Sequence, residues 1–134
     1  MISCRLDTEG LLAGAMQSFG GPEVGKREEF KVRFLVNDPR GIIAYEAFLP
    51  GTTVHWAFWH DEIHVIMGGE AEVEFTVAPN HTKVGTRKYT KGDAYLILNG
   101  TRATFRITSP DPYLHVCVMM PRTEYARWQL KEEL

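Results

Sequence analysis

The chain has 134 residues, 44% of them apolar and 24% charged. That is the size and composition of one globular domain with its own core, and it excludes disordered and fibrous classes. Fifteen Lys and Arg against 17 Asp and Glu leave a formal charge of -2, so no basic field is present to hold a nucleic-acid backbone.

Asp7 and Thr8 are candidate caps, and Leu11, Leu12, Ala15, Met16 and Phe19 follow at helical spacing before Gly20-Gly21-Pro22. This predicts a short N-terminal helix. The acidic Asp7 and Glu9 stand where a secretion signal needs basic residues, and no apolar run nears the roughly 18 residues of a membrane span. Cys4 and Cys117 have no Cys-x-x-Cys spacing and are expected as reduced thiols of a cytoplasmic protein. From residue 30 the apolar period becomes two. Strands are predicted over 30–36, 42–48, 53–59, 62–67, 83–89, 94–98 and 113–120. Two more come from strict alternation: Ala71, Val73, Phe75 and Val77 against Glu70, Glu72, Glu74 and Thr76, and Ala103, Phe105 and Ile107 against Arg102, Thr104 and Arg106. Turn signals such as Asn37-Asp38-Pro39, Pro50-Gly51, Gly68-Gly69, Gly92-Asp93 and Asn99-Gly100 separate these runs. After Pro121, the stripe Tyr125, Trp128 and Leu130 predicts a short C-terminal helix over 123–134. About nine short strands without a helix between them predict an all-β antiparallel sandwich or barrel. One domain spans 1–134, with a barrel core of about 28–120.

The order of the turn residues carries a resemblance. Pro50-Gly51-Thr52-Thr53-Val54-His55, leading through Glu62 to Gly69, and Gly92-Asp93 leading to Asn99-Gly100-Thr101, resemble the two motifs of a small single-domain cupin. The resemblance covers roughly 42–120 and implies a double-stranded β-helix, the cupin jelly-roll barrel, paired as a homodimer. The stretch from Gly92 to Ile107 is similar to the ethanolamine-utilisation and ureidoglycine-type branches. The first family motif carries a histidine, a second histidine two residues on, a glutamate four or five later, and a glycine seven beyond that. His55, Glu62 and Gly69 match its first, third and last positions, and Ala57 falls on the second histidine. In the second motif Gly92 and Gly100 match, Leu98 replaces the usual proline, and Ala103 replaces the histidine. Two of the four usual metal ligands are therefore absent, and the family's site does not transfer directly.

The five histidines are His55, His60, His64, His81 and His115. If the Glu62 carboxylate points inward, period two turns His64 inward as well. His60 shares that parity or sits on the turn at the barrel mouth, His55 comes from the preceding strand, and His115 from the last. A set drawn from His55, His60, Glu62, His64 and His115 offers mixed nitrogen and oxygen ligands for iron, manganese, nickel, copper or zinc. His60, Glu62 and His64 are the leading ligands and acid–base groups. The strand rise separates successive same-face side chains by about 7 Å, so one ion reaches all three only through long side chains or a bulge. Tyr45, Trp56, Phe58, Tyr95 and Phe105 are expected to line a substrate pocket or, in the plainer reading, to fill the core. Arg102 and Arg106 are expected outside, and His81 in a solvent-facing loop. The sequence supports a metal-dependent enzyme of isomerase, lyase or dioxygenase type acting on a small organic molecule, in which the ion is a Lewis acid. The alternative is a metal-free cupin that binds a small ligand or serves an accessory role, with histidines near neutrality as hydrogen-bonding groups. In either case the partner is a small molecule, without nucleic acid or membrane.

Overall fold

The structure, a computed structural model, describes residues 1–6, 17–18 and 30–120. Its strands are β1 (Gln17–Ser18), β2 (Phe30–Asp38), β3 (Gly41–Phe48), β4 (Thr53–Ala57) and β5 (Asp61–Gly68), followed by β6 (Glu70–Thr76), β7 (Val84–Thr90), β8 (Ala94–Ile97), β9 (Arg102–Ile107) and β10 (Tyr113–Met120). They form two antiparallel sheets, ordered β1-β2-β3-β10-β5-β8 and β4-β9-β6-β7. No helix occurs among the described residues. The run predicted over 53–59 stops at Ala57, because Phe58 exchanges backbone hydrogen bonds with Gly100 and Thr101 instead of continuing the β4–β9 ladder.

The two terminal helices expected from spacing fare differently. Gln17–Ser18, at the end of the predicted N-terminal helix, is a strand paired with Lys31 and Val32 of β2. A sheet edge offers unpaired backbone donors and acceptors, and pairing with it outweighs a weak local helical preference. The remainder of that predicted helix, and the C-terminal one over 123–134, lie outside the described residues.

Alternation decides what lies between the sheets. From the four-stranded sheet Val54, Val73, Ala103, Phe105 and Ile107 face inward, and Phe105 meets Phe48 of the opposite sheet edge to face at 5.3 Å. The outward set of that sheet is charged, as the alternation demands: Arg106 stands 3.6 Å from Glu72 and 3.7 Å from Glu74, all half exposed. Such pairs contribute little, so Arg106→Ala is expected to change the unfolding free energy in urea by less than about 1 kcal/mol. The six-stranded sheet differs. Its β3 and β10 are buried almost continuously, because Tyr45, Ala47, Leu114 and Val116 pack in a second apolar cluster on the face away from the core. Strands covered on both faces lose the alternation that betrays them in a sequence.

Candidate functional site

Register on the inner face of the six-stranded sheet brings the polar residues together. Glu46 of β3 lies opposite His115 of β10, and Cys117 of β10 lies opposite both Ala44 of β3 and His64 of β5. Glu62 faces Met119 on one side and Ile97 on the other, and His64 faces Tyr95 of β8. Glu46, Glu62, His64, His115 and Cys117 are all buried, His115 completely.

Glu62 is the hub. Its Oε1 accepts hydrogen bonds from His64 Nε2 at 2.7 Å and Cys117 Sγ at 2.7 Å, and its Oε2 accepts one from His60 Nε2 at 2.8 Å. Burial alone raises the pKa of Glu62, but the donations from His60, His64 and Cys117 outweigh it and hold the carboxyl well below its usual range. Burial, reinforced by the carboxylates of Glu46 and Glu62, pushes the Cys117 thiol up, so sulfur acts here as an S–H donor. His115 Nε2 donates to Glu46 Oε2 at 2.8 Å. Burial, followed by the neighbouring His64, lowers the His115 pKa against the opposing pull of Glu46. The His64 and His115 rings stack at 4.1 Å, and His115 Nδ1 has no hydrogen-bond partner among the described residues.

With its Nε2 hydrogen turned to Glu62, His64 accepts at Nδ1 from the Tyr95 hydroxyl at 3.1 Å, and Tyr95 in turn meets Tyr113 at 3.0 Å. Burial raises both phenols, so they stay neutral. A hydrogen-bonded line thus runs from Tyr113 through Tyr95, His64 and Glu62 to His60, whose side chain is 17% exposed at the outer end.

Of the residues singled out in the sequence, His60, Glu62, His64 and His115 therefore gather on one face. His60 reaches the same carboxylate as His64 because it lies in the bend before β5 and projects back, so the strand rise does not separate the two imidazoles. His55 does not join them. It is exposed on β4, bonded through Nδ1 to Thr104 Oγ1 at 2.9 Å, and lines an open cleft of about 390 Å³ with Glu74, Thr76 and Arg102. The inward positions at that end of the sheet belong to Val54, Trp56 and Phe58. This parity selects the shorter histidine-to-glutamate spacing of the cupin pattern, so Trp56 and Phe58, rather than His55 and Ala57, take the places of the paired histidines. Ala103 is buried as expected. Aromatic carbon and a methyl group at three of the four usual ligand positions do not fit a metal ion, and only Glu62 survives.

Trp56, Phe58, Tyr95 and Phe105 do share one core, close around His64: its ring lies 5.2 Å from Tyr95, 6.2 Å from Phe58 and 6.2 Å from Phe105. Tyr45 is the exception. It is one residue out of phase with Glu46 and belongs to the cluster on the other face, so it cannot line the same pocket. Sequence reasoning missed Cys117 and gave Glu46 no ligand role. Cys117 was within reach of parity: it is two residues beyond His115, and whatever turns one inward turns the other. Glu46, Glu62, His64 and Cys117 each offer a ligand atom, and these atoms lie within 4.8 Å of one another. An imidazole, a thiol and two carboxylates form a donor set that suits a borderline divalent ion.

No protein-family model and no curated protein matches the chain. Solved structures do. KdgF from Halomonas sp. is 18% identical, with 85% of this chain and 94% of that chain covered and a TM-score of 0.61. The Drosophila melanogaster CENP-C cupin domain is 19% identical over 69% of this chain and 70% of its own, at a TM-score of 0.60, and CENP-C has also been solved bound to CAL1. The formate complex of Lactobacillus farciminis oxalate decarboxylase is 16% identical, covering 81% of this chain but 31% of that one, at a TM-score of 0.61. What these proteins share with the chain is an architecture, and that architecture is the cupin jelly roll.

Proposed function

We propose that the chain is a small cupin enzyme that uses a divalent metal, held on the inner face of the six-stranded sheet, to act on a small organic substrate. The reaction is of isomerase, lyase or dioxygenase type. The single observation that carries this reading is the buried group of Glu46, Glu62, His64 and Cys117, with ligand atoms within 4.8 Å. When bound, such an ion supplies Lewis-acid polarisation of a carbonyl or enediol oxygen. The protein's own residues do the rest. Glu62 and His64 hold the reacting centre, Tyr95 orients the His64 ring, and His60, held by Glu62 and partly exposed, exchanges a proton with solvent. Trp56, Phe58 and Phe105 supply the apolar wall that a small organic molecule packs against. An oxalate decarboxylase among the structural neighbours accords with this class of chemistry.

A metal-free reading has one observation in its favour: three protein donors already satisfy the Glu62 carboxylate. Elemental analysis of gently purified protein, paired with thermal melts before and after chelator dialysis, separates the two. About one equivalent of transition metal per chain, with a lower Tm after dialysis, is expected. Metal well below one equivalent with an unchanged melt would hand the site to the metal-free, ligand-binding cupin.

The same proposal sets the protein in the cytoplasm as a homodimer acting on a small molecule rather than on nucleic acid or membrane. The formal charge of -2 supports this, as do the free thiols Cys4 and Cys117. No described helix is long and apolar enough to span a bilayer. The sheet edge at β8, where Leu96 is 55% exposed beside Val65 of the adjoining β5 at 37%, supports pairing with a second copy.

A further inference from the structure

We infer that the metal centre of this chain is a thiolate site displaced from the usual cupin position: Cys117 and Glu46 complete the shell of Glu62 and His64 and select a thiophilic borderline ion, such as zinc, cobalt(II) or iron(II), over magnesium or calcium. The inference rests on the proposed metal-dependent function and adds the ligands and the class of ion.

Three observations carry it. The first is exclusion by position. The usual ligand places hold Trp56, Phe58 and Ala103, and His55 faces away. His60 spends its Nε2 on Glu62 Oε2 and lies outside the group of converging donors. The second is distance. Bond lengths of about 2.0 Å to nitrogen or oxygen and 2.3 Å to sulfur imply ligand separations of roughly 3.3–3.8 Å around a tetrahedral ion. The four donor atoms already lie within 4.8 Å of one another, and the shell forms as the longer separations close and the two 2.7 Å contacts on Glu62 Oε1 open. The third is His115. Buried polar atoms are nearly always paired, yet its Nδ1 has no partner among the described residues, although the ring is fully buried and stacked on His64. His115 stays outside the converging group itself, but the ring that holds Glu46 keeps one interaction unfilled.

The hydrogen inventory is consistent. His64 Nε2 and Cys117 Sγ both direct a hydrogen at Glu62 Oε1, and an ion replaces these two hydrogens. His64 moves its own from Nε2 to Nδ1 and donates it to the Tyr95 oxygen at 3.1 Å, which turns its hydroxyl to Tyr113 at 3.0 Å. That is the outer partner a metal-bound imidazole requires. Cys117 releases its proton to solvent as the sulfur–metal bond forms. Glu46 holds His115 through Oε2 and offers a carboxylate oxygen to the ion.

The test is anaerobic cobalt(II) titration of the metal-stripped full chain, followed by optical spectroscopy. One equivalent should bind with a near-ultraviolet thiolate-to-cobalt charge-transfer band and the visible bands of a four-coordinate ion. Zinc should displace it and magnesium should not. Cys4→Ser should retain the charge-transfer band. Cys117→Ser should lose it, keep the visible bands and bind cobalt at least about tenfold more weakly. Should Cys117→Ser fail to fold, Glu46→Gln serves instead: its visible bands should shift while the charge-transfer band remains. Cobalt bound without a charge-transfer band, or with one that Cys4→Ser abolishes, overturns the thiolate assignment and leaves the metal-dependent reading standing. Absence of cobalt and zinc binding by the parent chain overturns both.

Discussion

Replacing Glu62 with leucine is expected to lower the unfolding free energy by about 3–5 kcal/mol, the cost of removing one partner from a buried charged group. Three donors converge on this carboxylate, from His60, His64 and Cys117, at 2.7–2.8 Å. Without it, in the metal-stripped chain, the hydrogens of His64 and Cys117 face an apolar side chain in a site where both residues are essentially inaccessible to water. Each buried donor left unmade costs about 1–3 kcal/mol. The loss should be strongly non-additive. Removing a stranded donor as well, in Glu62→Leu combined with Cys117→Ala, should cost less than the sum of the two single changes. Urea unfolding of the two single variants and the double one measures the coupling. A loss under 1 kcal/mol for Glu62→Leu would mean that water reaches the cluster and that the hub is not a buried one.

Gly69→Ala should be nearly as damaging, for a different reason. Gly69 joins β5 to β6 at a φ of 72°, a left-handed conformation that costs an L-residue about 1–2 kcal/mol. A methyl group there would press on the Pro112 carbonyl, 2.7 Å from its carbon and 2.8 Å from the Tyr113 Cα. These are backbone atoms at the start of β10 and cannot swing aside, so about 1–3 kcal/mol of overpacking adds to the conformational term. The expected total is about 2–5 kcal/mol. Gly51→Ala is the matched control. It has the same φ of 72° but nothing within 4 Å of the added carbon, so only the conformational term should appear. Equal losses in the two variants would remove the clash from the account. The comparison also gives the last glycine of the first cupin motif a physical reason: it lets the β5–β6 corner pass under β10.

The strands were legible because turns and alternation are local. The boundaries of β6 and β9 follow from residues that alternate within the strand itself. The site was only half legible, because its assembly depends on register between distant strands. A shift of one residue exchanges the two faces of a strand, and the permitted histidine-to-glutamate spacing of four or five left that choice open. The shorter spacing holds, which sends His55 to the surface and Trp56 inward. Tyr45 was misplaced for a related reason. In β3 every residue from Ala44 to Phe48 is buried, so no polar partner marks which face is the inner one. Glu46 itself was the marker, since a carboxylate in such a run needs a buried donor, and His115 supplies it across the sheet. His60, Glu62 and His64 came through because they lie within five consecutive residues, close enough for geometry to be argued without tertiary information.

The place of β10 has a kinetic consequence. This strand is the last one described, yet it sits between β3 and β5 at the middle of its sheet and brings Cys117 and His115 with it. Its partners are separated from it by long stretches of chain, and pairings of that kind close slowly, on the millisecond-to-second scale typical of such β topologies. Glu46, Glu62 and His64 are synthesised well before Cys117, but no sheet holds them side by side until that closure occurs. A growing chain on the ribosome therefore carries the earlier donors without the strand that joins β3 to β5, and an ion taken up at the proposed site would meet a finished cavity rather than a half-built chelate.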